Sequence, residues 1–420
     1  MEGIRARALA VGRWLSERAG RCLAASVALY ALTALRSPSQ PLDLRVYRGG
    51  APHLFSGGLY DFAVHTGPPI PVLPFTYPPF AALLFAPLAQ LPWEAALVLW
   101  RAVSVAALLV ITAGSLRLLT PPAAGRVRER ALLWAAAGLW LEPVRHTLDQ
   151  GQINLLLGAL VVGGLALCRT AAGRGAAVGL AASVKLTPAV GGLYLLATRQ
   201  WRAALWAVLT GAAATALAWW ISPSQSWRYW TSLVTDTSRV GPVWTVRNQS
   251  LRGALTRLLG PDATASPLWW AALALVTLAA AWALRAAVRR ADRLGVLVTV
   301  QLYGLLMCPI SWSHHWIWCV PAMIWLAHGP LRRLPPARVT LALWALVTAG
   351  RLVPRLSRIE DATVHGGPYP APMAWLGTGF TLCAVLTFLT LAAGGDRRRA
   401  RAAIPGGQRS GDHADRSLLP

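Results

Sequence analysis

A carboxylate stands at residue 43 in the run LeuAspLeuArgValTyr (42–47), a few residues past the end of an apolar segment. Held at a membrane surface beside apolar neighbours, such a group can act as a general base, provided its pKa is tuned and a proton lies within hydrogen-bond reach. Taken alone, an Asp in a loop is more often a solvated turn residue. Lys185 is the sharper physical signal, because it is the only lysine in the chain and it interrupts the apolar run AlaSerValLysLeuThrPro (182–188). An ammonium at the centre of a spanning helix costs at least ~2.5–3.5 kcal/mol unless paired or hydrated, which makes an intramembrane lysine a functional candidate. Snorkelling to the interface is its bland alternative. A compact ammonium suits a point contact with a phosphate.

Other chemistry-bearing residues cluster. Glu142, Arg145, His146, Asp149, Gln150, Gln152 and Asn154 crowd into residues 142–154 between two apolar runs. An ordinary connector needs fewer polar groups, and Gln152 and Asn154 fall at membrane depth, where unpaired amides are costly. Lining of a site and interhelical hydrogen bonding explain them equally well. Residues 47–79 mix Tyr47, His53, Tyr60, Asp61, His65 and Tyr77 with glycines and prolines, as a folded binding loop or a glycine-rich connector would. TrpArgTyrTrpThr (227–231), Arg239 and ArgAsnGlnSerLeuArgGly (247–253) alternate aromatic rings with guanidinium groups. Rings stack on sugars and Arg grips phosphate in a fork, but an interfacial aromatic belt has the same composition. His314 and His315 are adjacent in SerTrpSerHisHisTrp (311–316). Neighbouring residues of a regular helix do not face one metal, so they read as donors to a leaving phosphate rather than as a zinc site.

Something must position these residues, and the rest of the chain says what. Apolar runs near the ~20 residues that cross a bilayer core fall at 21–37, 93–119, 131–147, 152–168, 176–187, 188–198, 202–221, 264–289, 294–312, 315–330, 337–353 and 372–394. The runs at 176–187 and 188–198 meet at Pro188 and are too short to cross unaided, so they predict a broken pair. Residues 76–91 read as an interfacial or re-entrant helix. With the N-terminus inside, roughly two in three of the 40 Lys and Arg fall on the cytoplasmic side, as the positive-inside rule asks. The expectation is an all-α integral membrane bundle of about 12 spans, N-in and C-in. Its long outer loops are 38–75, 222–263 and 354–371. The basic, Gly-rich segment 395–420 reads as a cytoplasmic tail outside a single transmembrane domain, 1–394.

Composition excludes other classes. Only 13% of the 420 residues are charged against 55% hydrophobic, whereas a soluble domain carries about 25% charged residues. The net charge of +24 is scattered between apolar runs and forms no basic stripe of the kind that binds nucleic acid. The five Cys all lie in apolar runs with no ligand spacing, and read as small buried hydrophobes. The basic N-terminus precedes no cleavage site after 21–37, which therefore reads as an uncleaved first span. No internal repeat is evident, which weakens the case for a transporter of duplicated halves.

Six segments in order resemble a known family: AspLeuArgValTyr (43–47), ThrTyrProProPheAlaAlaLeuLeuPheAlaPro (76–87), AspGlnGlyGlnIleAsnLeuLeuLeu (149–157), LysLeuThrProAla (185–189), AsnGlnSerLeu (248–251) and ProIleSerTrpSerHisHisTrp (309–316). Together they resemble the actinobacterial glycosyltransferase family 87, whose members are polyprenol-phosphate-mannose-dependent α-(1→2)-mannosyltransferases of the GT-C fold. The resemblance implies a GT-C-type polytopic enzyme in the plasma membrane. It would move mannose from polyprenyl-phosphate-mannose to a mannoside, phosphatidylinositol mannoside or lipoglycan acceptor on the extracytoplasmic face.

It also implies that Asp43 is the base of an inverting transfer. Lys185, His314, His315 and Arg239 are then the expected partners of the donor phosphate, with Tyr77, Asp149, Gln152, Asn154, Asn248 and Gln249 lining the substrates. No cofactor is expected, since the lipid-linked sugar is a substrate, and no acidic cluster demands a divalent metal. Nothing in the residues themselves separates mannose from another polyprenyl-linked sugar. A lipid flippase or transporter would share the spans and the intramembrane charge. The gathering of polar chemistry on one face favours the enzyme.

Overall fold

The computed structural model describes residues 17–36, 40–66, 72–119, 127–364 and 369–393. The tail expected at 395–420 lies outside them. The described chain is mostly helical. Three helices are long and apolar enough to cross a membrane: Trp93–Leu118, Trp201–Ile221 and Pro267–Arg289. A fourth candidate, Pro335–Ala349 with Leu352–Thr363, bends by 46° at Arg351, a non-glycine residue in the left-handed region (φ 51°).

Several of the expected runs are helical but short. Asn154–Leu167, Arg293–Met307 and Gly379–Ala393 are apolar helices below full crossing length. The run at 131–147 is a correction: its helix Val127–Gly138 stops, and a separate helix Glu142–Gln150 begins after a three-residue turn. Pro143 at the start of that second helix explains the break, since proline cannot continue the hydrogen bonding of the turn before it. The pair expected around Pro188 is present as Ala171–Val184 followed by Thr187–Ala197. Residues 76–91 form two short helical pieces, Pro79–Phe85 and Ala86–Gln90.

The outward surface is what a lipid solvent selects. Helix Trp201–Ile221 buries only Ala203, Ala214 and Ala218, while Leu205, Trp206, Val208 and Leu209 face outward. Its length of 21 residues gives about 31 Å at 1.5 Å per residue, the thickness of a hydrocarbon core. Trp201 marks one end, and Trp219 and Trp220 the other, where amphipathic rings favour the headgroup level. No hydrophobic force drives helices together in lipid, so close backbone approach does the work. Gly175 and Gly179, one turn apart on Ala171–Val184, pack directly on the Ala203 and Ala207 carbonyls of Trp201–Ile221, and a Cβ at either glycine would collide with them.

Residues 40–91 are a folded unit rather than a connector. Helices Leu42–Gly50 and His53–Ser56 are followed by a two-stranded antiparallel hairpin, Ala63–His65 against Val72–Pro74, with Val64 paired to Leu73. The hairpin is the one departure from an all-α chain among the described residues. A cluster of rings holds the unit down: Tyr47 stacks on Phe85 at 4.3 Å between centroids and leans on Trp100 at 5.8 Å. Offset and edge-on aromatic pairs contribute about 0.5–1.5 kcal/mol each beyond their area.

Candidate active site

Asp43 lies in the first turn of Leu42–Gly50, where unpaired backbone N–H groups and the helix dipole favour a carboxylate. That helix is seated by one glycine. Gly151 closes Glu142–Gln150 in the left-handed conformation (φ 68°), and a Cβ there would lie 2.6 Å from the Leu44 Cβ. Only glycine meets both demands. The contact sets Gln152 against Asp43. The Oε1 of Gln152 accepts from the hydroxyls of Tyr47 (2.9 Å) and Tyr77 (3.2 Å), which are 2.7 Å apart. Its amide N–H is thereby turned to donate to the Asp43 carboxyl. Tyr47, one turn after Asp43 on the same helix face, completes the set.

Lys185 follows the end of Ala171–Val184. Its Nζ donates to Asn154 Oδ1 at 2.9 Å and to His315 Nε2 at 3.1 Å, and stands 5.4 Å over the Tyr77 ring. An ammonium has no lone pair, so the His315 hydrogen must sit on Nδ1. Among the described residues that Nδ1 has no partner, and neither ring nitrogen of buried His314 has one. Buried polar atoms are seldom left so, and three of them gather beside one ammonium.

The turn that carries these imidazoles, Ser313–Trp318, is held from two sides. The His314 carbonyl accepts from Thr147 Oγ1 (2.9 Å) and Asn154 Nδ2 (3.0 Å). Ser313 Oγ donates to Glu142 Oε1 and meets His146 Nδ1, both at 2.8 Å. Asp43 is half-buried, and burial pushes its carboxyl above the ordinary range, opposed by Lys185, His146 and the Gln152 hydrogen bond.

Seven of the residues expected from sequence thus meet around one cleft: Asp43, Tyr77, Gln152, Asn154, Lys185, His314 and His315. Four do not join it. Asp149 pairs with Arg145 (3.3 Å), whose guanidinium lies against the rings of Tyr30 and Trp140. Arg239 donates to the Tyr60 carbonyl (2.9 Å), behind Tyr77. Asn248 is fully buried and saturated: its Nδ2 donates to the Val243 and Pro309 carbonyls and its Oδ1 accepts from the Ser250 and Ser311 N–H groups. The Gln249 amide is likewise taken up by Val246, Gly377 and Phe380. Both residues act through position, since the backbone of 247–249 pairs with 311–313 and so anchors the histidine turn.

Glu142 and His146 from the polar run 142–154, Tyr47 from the mixed run 47–79, and Ser313 beside the paired histidines also join the cleft, though none had been assigned to a substrate from sequence. The i, i+4 spacings of Asp43 with Tyr47 and of Glu142 with His146 were the available signal. Among the described residues no three His, Cys, Asp or Glu side chains converge as metal ligands.

Comparison with known proteins identifies the family. A relative from Mycolicibacterium smegmatis, a polyprenol-phosphate-mannose-dependent alpha-(1-2)-phosphatidylinositol pentamannoside mannosyltransferase, is 41% identical over 352 residues, covering 82% of this chain and 83% of the relative. Its namesake in Mycobacterium tuberculosis (strain CDC 1551) is 40% identical over 357 residues, covering 84% and 81%. A phosphatidylinositol mannoside mannosyltransferase with the same donor and linkage in its name, from Mycobacterium tuberculosis H37Rv, is 38% identical over 321 residues, covering 73% and 74%. No solved structure matches the chain. The profile of glycosyltransferase family 87 matches residues 75–311, the stretch that carries Tyr77, Gln152, Asn154 and Lys185. With that match and relatives at this identity over most of its length, the chain belongs to glycosyltransferase family 87.

Proposed function

We propose that this protein is a mannosyltransferase that takes mannose from polyprenyl-phosphate-mannose and places it, in α-(1→2) linkage, on a phosphatidylinositol mannoside or related mannoside or lipoglycan. The relatives' names supply the donor and the acceptor class. The observation that carries the reading is the juxtaposition of the Asp43 carboxyl with a cation and unpartnered imidazoles on Lys185, His314 and His315. Asp43 removes the acceptor hydroxyl proton, and the oxygen attacks the anomeric carbon from the face opposite the phosphate. The carbon–oxygen bond to phosphate breaks and its electron pair leaves with the lipid phosphate, inverting the β-linked donor to an α-linked product.

Charge grows on the leaving phosphate, so preorganised donors there matter most. The third Lys185 hydrogen and the His315 Nδ1–H suit that task. On this reading the charge of the monophosphate is met by the chain itself, with no cofactor or divalent metal, so turnover is expected to persist in EDTA.

We further place the cleft on the outer face of the plasma membrane in a single GT-C-like domain over 1–394, with about 12 spans and both termini inside. The positive-inside bias supports this orientation, as Arg199 and Arg202 flank one end of Trp201–Ile221 and Arg285 and Arg289 the far end of Pro267–Arg289. The short helices then reach the membrane faces through the loops and turns between them.

The test is transfer by purified protein from a panel of lipid-linked sugars to phosphatidylinositol mannosides, with the product linkage determined. Mannose transfer in α-(1→2) linkage is the expected result. Direct use of a nucleotide sugar, or accessibility labelling that places a cysteine at residue 43 in the cytoplasm, would overturn the reading.

A further inference from the structure

The helix Leu352–Thr363 has no part in the cleft, and its 12 residues carry four charges, Arg355, Arg358, Glu360 and Asp361. Charges at that density are expensive in hydrocarbon. The 46° bend at Arg351 therefore turns the chain out of the apolar helix Pro335–Ala349 and into the headgroup layer. One face of the helix is fixed to the protein: Val353, Leu356 and Glu360 are buried, and Leu356 packs with Val246 and Met373. The opposite face is open and includes Ile359, 51% exposed. The helix Ala371–Leu376, which supplies Met373 to the same packing, exposes Trp375 and Leu376. Exposed indole and apolar side chains among cations suit a membrane interface.

The acids of this helix are spent and its arginines are not. Glu360 accepts from the Thr245 hydroxyl and the Val246 N–H, and Asp361 holds Arg247. Arg351, Arg355 and Arg358 are exposed and make no ion pair among the described residues. Residues three apart share a helix face, so Arg355 and Arg358 stand together, with Arg351 at the entry to their helix. On the topology proposed above they lie on the outer side, where the positive-inside rule disfavours arginine. Unpaired guanidinium groups there complement an anion at headgroup height, and their fork geometry suits phosphate.

The proposed acceptor carries such an anion. Its reacting mannose is the free end of a glycan whose other end is a phosphodiester, held at the membrane surface by acyl chains. A cleft that takes the mannose end does not also hold the phosphate, which must rest elsewhere on the outer surface. Direct bonds tie the arginine helix to the cleft: the Val246 N–H donates to Glu360 (3.0 Å), the Ser313 N–H to the Arg247 carbonyl (2.9 Å) and the Gln249 N–H to the Ser311 carbonyl (2.8 Å).

We infer that Arg355 and Arg358, with Arg351 at the head of their helix, bind the phosphodiester of the acceptor lipid, outside the cleft in which its mannose reacts. The interaction is charge pairing and involves no covalent step. The inference rests on the acceptor class proposed above. Wild-type protein that transfers mannose to no phosphatidylinositol mannoside would remove that reading, whereas the outcomes below, read with active wild type, bear on the arginines alone.

The experiment measures transfer in a nonionic detergent, where the substrates are the only acidic lipids, by wild type, Arg355→Gln/Arg358→Gln and Arg355→Lys/Arg358→Lys. Two acceptors are compared, a phosphatidylinositol mannoside and an alkyl mannoside with the same terminal sugars and no phosphate. Both arginines are exposed, so the variants are expected to fold as wild type does. A basic residue near an anionic lipid surface contributes about fivefold to binding. The Gln pair is therefore expected to raise the KM of the phosphatidylinositol mannoside by roughly twentyfold. Its kcat, its donor KM and its KM for the alkyl mannoside are expected to change less than about twofold. The Lys pair keeps the charge and is expected to recover most of the loss. Added salt is expected to raise the KM of the phosphate-bearing acceptor in wild type far more than in the Gln pair.

An unchanged KM for the phosphatidylinositol mannoside in the Gln pair overturns the inference, and so does an equal rise for both acceptors. If the Gln pair loses bound phosphatidylglycerol yet keeps its acceptor KM, the arginines are a general lipid surface and the inference fails. Should the alkyl mannoside not be a substrate, competition by lysophosphatidylinositol decides, since it has the phosphodiester and no mannose. It is expected to inhibit wild type competitively with the acceptor and the Gln pair roughly twentyfold less, and equal inhibition of the two overturns the inference.

Discussion

Two buried polar regions flank the histidine turn, and they differ in how completely their atoms are used. On one side, Asn248, Gln249 and Glu360 tie the loops together: Asn248 makes four hydrogen bonds, the most an amide side chain can make, and both oxygens of Glu360 accept from Thr245, Val246 or Tyr369. On the other, His314 offers two ring nitrogens and His315 one with no partner among the described residues, next to an ammonium with a hydrogen to spare. A saturated polar cluster is a clasp. An unsaturated one, at the same depth and against the same turn, holds its groups for something that is not part of the chain.

The largest effect that would test this contrast is at Asp43. Asp43→Asn keeps the shape and the Gln152 neighbour but cannot take a proton, so transfer is expected to fall by roughly a hundred- to ten-thousandfold with the fold intact. Near-normal turnover in the purified variant would remove the base. At Lys185, loss of a hydrogen bond to a charged group corresponds to roughly a ten- to hundredfold weakening, so Lys185→Met is expected to raise the donor KM by that order.

Lys185→Met also has a pH signature. Burial holds the Asp43 carboxyl up, to about 6, so it is protonated and idle in acid, and kcat/KM is expected to rise with pH through that region and then level. Lys185 pulls the carboxyl down, so its removal shifts the acid limb to higher pH. A limb that stays in place, with unchanged kcat and KM, would return Lys185 to the role of a snorkelling side chain.

A smaller and different effect is expected across the turn. Asn248→Ala strands the Ser250 and Ser311 N–H groups and costs about 1–3 kcal/mol of stability. The loss appears in thermal unfolding in detergent, while activity per folded molecule changes less than at Asp43 or Lys185. The opposite pattern, full stability with lost transfer, would move Asn248 out of the clasp and into the cleft.

These assignments mark what the sequence could and could not tell. Lys185 stood out because it is costly in its place: a lone lysine in an apolar run needs a partner, and Asn154 and His315 are that partner. Asp43 stood out only through the family resemblance, since an Asp in a loop by itself reads as a solvated turn residue. Asn248 and Gln249 looked equivalent to Gln152 from composition, because an amide shows its donors and acceptors but not who occupies them. Residues 142–154 were read as a crowded turn because periodicity over nine residues is faint. As a helix they separate into Glu142 and His146, which face the cleft, and Arg145 and Asp149, which face Tyr30. The break at 139–141 was hidden because the turn itself, LeuTrpLeu, is apolar and continues the apolar run before it.

The smallest expected effect lies in the loop 222–263, whose rings and cations sequence offered as a phosphate surface or an aromatic belt. TrpArgTyrTrpThr at 227–231 alternates rings and cations as a sugar-phosphate surface would, yet Arg228 pairs with Asp61 at 2.8 Å with 39% and 64% of the two side chains exposed. Exposed pairs contribute little to stability, and Tyr229 is spent stacking on Tyr60 (5.8 Å) rather than open to a sugar. Arg228→Ala is therefore expected to change stability by no more than about 0.5 kcal/mol and to leave the transfer rate close to wild type. A large rise in acceptor KM in this variant, with the donor KM unchanged, would extend the functional region from the cleft to this loop. The boundary between unsaturated cleft and inert surface would then have to be drawn beyond Asp61.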